Sequence, residues 1–102
     1  MTKKQLVEMI RRIVKEEFDA DGFRNLGIHQ QGNELEREFN KKFKTIHFAD
    51  VNKLGSVQQF IFMDENDDLT VLKQALSFIK GSTHMGGRIG EYEEMPAIIL
   101  HY

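Results

Sequence analysis

Cysteine and tryptophan are absent from this chain, and proline occurs once. Without cysteine there is no disulfide, no thiolate nucleophile and no cysteine-ligated zinc or iron–sulfur centre. No apolar run is long enough to span a bilayer. The opening Met1-Thr2-Lys3-Lys4-Gln5-Leu6 has basic residues but no apolar h-region before Glu8, so no signal peptide is expected. A cytoplasmic location fits both absences. Neither sign of charge is in large excess. The formal net charge is −2, with ten Lys/Arg against eight Asp/Glu in residues 1–44 and four against eight in residues 45–102. Such a chain is a poor generic polyanion binder, and any nucleic-acid site needs a local basic patch in the amino-terminal half.

The composition that is present describes a folded domain. Of 102 residues, 40% are hydrophobic and 29% charged, enough for one modest core, so a single domain over 1–102 is expected. Eight phenylalanines must carry much of that core.

Thr2 with Gln5 forms a capping box, and Leu6, Met9, Ile10, Ile13, Val14 and Phe18 recur at helical spacing, which predicts a helix over 2–18 ended by Asp19-Ala20-Asp21-Gly22. Phe23 to Gln30 reads as a weak strand. Asn33 with Glu36 marks the start of a second helix carrying Leu35, Phe39 and Phe43. Thr45–Val51 and Val57–Met63 read as an antiparallel hairpin around Asn52-Lys53-Leu54-Gly55. On the second of these strands Gln58, Phe60 and Phe62 share one face. Asp67 or Asp68 caps a third helix with the stripe Leu69, Leu72, Ala75, Leu76 and Ile79, and Gly81 is its expected stop. A glycine-rich turn follows, then a strand over Arg88–Glu94 and a closing apolar strand over Ala97–Tyr102.

The resulting expectation is an α+β fold: a ferredoxin-like βαββαβ sandwich over 23–94, with an added amino-terminal helix and an extra carboxy-terminal strand. Asn25-Leu26, Leu35-Glu36-Arg37-Glu38-Phe39, Phe60-Ile61-Phe62-Met63-Asp64-Glu65-Asn66-Asp67-Asp68-Leu69 and Gly86-Gly87-Arg88 together resemble an RNA-recognition-motif domain. That family stacks single-stranded RNA bases on aromatics of its first and third strands. The resemblance implies stacking on Phe60 and Phe62 beside Gln58, with Arg88, Arg24 and Lys44 as phosphate contacts. In place of the family's other stacking aromatics stand Gln58 and Gly22.

Gly81 to Gly90 could cradle an anion with His84, Gly86, Gly87 and Arg88, although phosphate loops ordinarily precede a helix rather than follow one. Asp64-Glu65-Asn66-Asp67-Asp68 resembles the front of a calcium loop but has Leu69 and Ala75 where glycine and an acidic ligand are needed. His29, His47, His84 and His101 have no metal-ligand spacing, though His47 and His101 could meet on adjacent strands. No metal or cofactor is expected, and an enzyme is the less favoured reading. The first expectation is a non-catalytic module that binds a protein partner or single-stranded RNA. The alternatives are a small-molecule binder or enzyme at the glycine turn, and a homo-oligomer pairing through residues 97–102 or the first helix.

Overall fold

A computed structural model describes residues 2, 3 and 20–102. The helix expected over 2–18 lies outside the described residues. From Ala20 the order is α1 (Ala20–Arg24), α2 (Ile28–Phe39), β1 (Ile46–Leu54), β2 (Val57–Asp64), α3 (Leu69–Thr83), β3 (Gly86–Tyr92) and β4 (Met95–His101). The α+β class is as expected. No described helix is long and apolar enough to cross a membrane.

The strands form one antiparallel sheet in the order β1-β2-β4-β3. Two hairpins are thus joined along β2 and β4, with α3 as the crossover. In a ferredoxin-like βαββαβ unit the first strand occupies the interior place beside the third and fourth. Here that place is taken by the closing strand β4, and the residues expected as a first strand, 23–30, are helical. The neighbour relations of a ferredoxin-like sheet are therefore satisfied in a different chain order.

The error over 23–30 has an identifiable cause. The buried stripe of α2 runs through Gln31, Gly32, Leu35, Glu38 and Phe39, so two polar residues and a glycine stand where apolar periodicity would be sought. Gln31 is buried with its side-chain amide Nε2 donating to the Phe23 carbonyl at 3.0 Å. Glu38 accepts from Ser82 on α3 and pairs with Lys41 at 2.7 Å. Gly27, which reads as a strand weakener, is the extended N-cap of α2, and Asn33 is mid-helix rather than a start signal. Residues 20–22, expected to lie beyond a helix, are themselves helical in α1, which buries Phe23.

One core lies between the helices and a single sheet face. Leu35 and Phe39 of α2 and Leu72, Ala75 and Ile79 of α3 pack on Ile46, Phe60, Phe62, Ile98 and Leu100. Phe39 and Phe62 meet with ring centroids 4.8 Å apart, and Phe48 lies 5.5 Å from Phe62. The approach of α2 to β1 depends on Gly32, where a Cβ would fall 2.2–2.6 Å from the Phe48 ring. Gly32→Ala is therefore expected to lower stability by about 1–2 kcal/mol, because overpacking outweighs the gain in helix propensity of about 1 kcal/mol. Urea unfolding of the two proteins measures this directly, and a stabilised alanine variant would refute the close approach.

Helix α3 starts as the sequence predicts, with Asp68 accepting from the Thr70 and Val71 N–H groups at 2.9 and 3.3 Å. It runs past Gly81, however, and ends at His84, which takes the left-handed conformation (φ 60) and donates its N–H to the Lys80 carbonyl. Pro96 sits inside β4, opposite Glu91. The alternation of the β3–β4 ladder turns its nitrogen toward the β2 side, one step beyond the last β2–β4 pair, Phe62 and Ile98. The missing N–H thus costs no ladder bond.

The β3–β4 hairpin closes through Glu93 and Glu94, both at positive φ (52 and 69). A two-residue loop with that geometry is a type I′ turn, which favours Asn-Gly. Two adjacent glutamates are poorly suited to it by both conformation and charge. The double variant Glu93→Asn/Glu94→Gly should be more stable by about 1 kcal/mol. A thermal melt checks this, and an unchanged or lower midpoint would contradict it.

Candidate functional site

The residues expected to form an RNA platform are not brought together. Phe60 and Phe62 are 0% exposed, on the sheet face covered by α2 and α3, so neither ring offers a face to a base. This corrects the expectation of stacking at these positions. Gln58 lies at the end of the same face, and its backbone pairs with Tyr102. Arg88 projects from the opposite face, because residues of β3 alternate and Gly87 and Ile89 pack toward α3 and the core. Arg24 is on α1, its Nε donating to the Tyr102 hydroxyl at 3.1 Å. Lys44 is exposed in the turn between α2 and β1.

The anion-cradle expectation also fails on placement. Gly86, Gly87 and Gly90 belong to β3, and only His84 and Met85 separate α3 from that strand. Gly87 serves packing: a Cβ there would fall 2.7 Å from Leu100, 3.0 Å from Leu76 and 3.2 Å from the Ile99 carbonyl oxygen. His84 is exposed and makes no side-chain hydrogen bond to a described carboxylate. His47 and His101 do not become neighbours, since β2 lies between their strands. His47 instead faces Glu65 at 3.8 Å in an exposed pair of small energetic consequence.

The acidic segment after β2 is a structural joint. Asp64, 3% exposed, accepts from the Thr45 hydroxyl and from the Asn66 and Asp68 N–H groups, both at 3.0 Å. Burial pushes its carboxyl pKa up, but these hydrogen bonds and the nearby His47 more than reverse that, leaving it below the ordinary value. No group of three or more His, Asp or Glu side chains among the described residues could hold a metal ion.

The sheet face turned away from the helices carries a small second cluster. Ile61, Ala97 and Ile99 are buried there, with Met63 and Tyr92 packed on them. The Tyr92 hydroxyl donates to Asp50 Oδ2 at 3.0 Å, so a side chain from one outer strand reaches the other. That bond, with partial burial and the charges of Asp50 and Glu93, raises the tyrosine pKa.

The most informative contrast is between the two outer edges of the sheet. On β1 three of the outward groups, between Ile46 and Val51, are occupied by side chains, while those of Lys53 have no partner among the described residues. Asn40 Nδ2 donates to the Ile46 carbonyl at 2.9 Å, Glu36 Oε2 accepts from the Phe48 N–H at 2.6 Å, and Asp50 Oδ1 accepts from the Val51 N–H at 2.8 Å. A register break between Phe48 and Asp50 bends the strand as well. On β3 the pairing with β4 uses Gly86, Arg88, Gly90 and Tyr92, so the N–H and C=O groups of Gly87, Ile89 and Glu91 point outward. Among the described residues these groups have no hydrogen-bond partner. Glycine inside a strand is a signal of close backbone approach, and Gly86-Gly87-Arg88-Ile89-Gly90 was legible in that sense. Read as a turn after a helix, it concealed the edge.

A strand of seven residues whose edge is unsealed among the described residues can accept a further strand by main-chain hydrogen bonding. Comparison with known proteins supplies no family to weigh against this geometry: no family model, no curated protein and no solved structure matches the chain.

Proposed function

We propose that the chain is a non-catalytic interaction module that takes an extended protein segment onto the free edge of β3. The observation that carries this reading is the asymmetry of the sheet: the first half of β1 is occupied by Asn40, Glu36 and Asp50, whereas along β3 the outward groups of Gly87, Ile89 and Glu91 are all unpaired among the described residues. Natural sheets ordinarily blunt such edges with charge, proline or a covering element. Three of the seven β3 residues are glycine, and of these Gly86 is open while the places above Gly87 and Gly90 are filled from within the chain.

The test is selection of extended peptides displayed on phage against the wild-type chain, followed by binding to Glu91→Pro and Glu91→Ala. Glu91 is exposed, and its N–H points outward, so proline removes an edge donor without breaking a β3–β4 bond, whereas alanine keeps that donor. Binding retained by Glu91→Ala and lost in Glu91→Pro supports strand addition. Failure to select any peptide, or equal binding by both variants, overturns it. A parallel titration with labelled single-stranded RNA discriminates the other macromolecular class: salt-sensitive binding that Glu91→Pro leaves intact would also overturn the reading.

A further inference from the structure

We infer that the strand received by β3 is β3 of a second copy, giving a two-fold dimer with one continuous sheet. This rests on the strand-addition reading above. The argument lies in the order of side chains along Gly86-Gly87-Arg88-Ile89-Gly90-Glu91-Tyr92. A two-fold antiparallel pairing requires outward groups to face outward groups, so Gly87, Ile89 and Glu91 must oppose one another. Centred on Ile89, the register sets Gly87 against Glu91 of the second copy and Ile89 against Ile89, and every outward group of β3 is then paired.

The same register brings the flanking positions into complementary pairs. Arg88 falls opposite Gly90, and Tyr92 opposite Gly86. Apart from Ile89, which meets its own counterpart, each large side chain of one strand therefore stands opposite a glycine of the other, on both faces of the sheet. Around Ile89 the strand is palindromic in size: glycine with tyrosine, glycine with glutamate, arginine with glycine. Moving the centre to Arg88 would oppose like charges and leave Glu91 without an outward partner, so the pattern selects one register. In the monomer Gly86 is open, with nothing within 4 Å of where a Cβ would stand, whereas the place above Gly90 is held by Ile99 Cδ1 at 2.6 Å and Arg88 Nη1 at 2.7 Å.

This places the oligomer contact at β3 and not at the closing strand. β4 is interior, flanked by β2 and β3, and has no free edge with which to pair.

Sedimentation equilibrium over a wide concentration range tests the inference, with circular dichroism confirming the fold of each variant. Wild type and Glu91→Ala should show a monomer–dimer equilibrium. Glu91→Pro should dissociate about tenfold more readily, since it removes two of the six symmetric hydrogen bonds. Gly86→Val, whose added side chain has open space in the monomer and stands opposite Tyr92 of the second copy, should weaken the dimer at least as much. A wild-type chain that stays monomeric throughout overturns the inference, and so does a dimer that both β3 variants leave unchanged. Failure here is distinct from failure of strand addition: a monomer that still binds displayed peptides, and loses them in Glu91→Pro, removes the second copy while keeping the edge. A monomer that binds none removes both.

Discussion

Phe60→Ala is expected to lower the free energy of unfolding by about 3–5 kcal/mol, a large part of what a domain of this size possesses. Phe60 stands on an interior strand, fully buried, with Phe23 and Phe48 at ring-centroid distances of 6.3 and 6.4 Å. Truncation removes the ring from between α1, β1 and the sheet and leaves a cavity that the paired strands cannot close. Equilibrium urea denaturation measures the loss, and a change below about 1 kcal/mol would place the ring outside the core. Any binding lost in this variant would report a weakened fold rather than a missing contact, so the partner experiments above use Glu91 instead.

Asp64→Ala should cost about 3 kcal/mol, because a buried carboxylate is withdrawn from three donors at once. The Thr45 hydroxyl and two backbone N–H groups would be left facing an apolar side chain at the junction of β2 and α3. The direction of the pKa shift adds a pH signature. With the folded value lowered, the contribution of Asp64 is fully present above the ordinary aspartate value of 3.8 and is lost as pH falls through the lower folded value. Acid titration of stability should therefore be less steep in Asp64→Asn than in wild type over that acid window. Equal slopes in the two proteins would mean that the carboxylate is not held ionised by its neighbours.

The elements that the sequence made legible are those whose apolar pattern is intact. Val57–Asp64 holds the β-prone apolar run Phe60-Ile61-Phe62-Met63, α3 carries Leu72, Ala75 and Ile79 at helical spacing behind the cap Asp68, and both were read with nearly their observed bounds. The misreadings fall where burial is achieved by something other than a hydrocarbon side chain. Gln31, Gly32 and Glu38 fill the inner face of α2 by hydrogen bonding or by absence of a side chain, and the helix was consequently started five residues late. The closing strand was recognised as a strand, but its place was not, since an apolar run gives no address within a sheet. That single ambiguity decided the functional reading as well. It fixes which edges remain free, and the face carrying Phe60 and Phe62 could be seen as core only once the helices were placed over it.

The interior position of β4 also shapes how the chain must be made. Ribosomes deliver β1, β2, α3 and β3 before Met95–His101, and until then β2 and β3 each expose an edge that the finished sheet hides. The first hairpin can close locally while the second waits for its later strand, so the nascent chain passes through a stage with unpaired, phenylalanine-bearing β-structure. Crowded polysomes would bring such edges together. For this protein the hazard of aggregation is thus greatest during synthesis and falls when the last of the described strands slides between the other two.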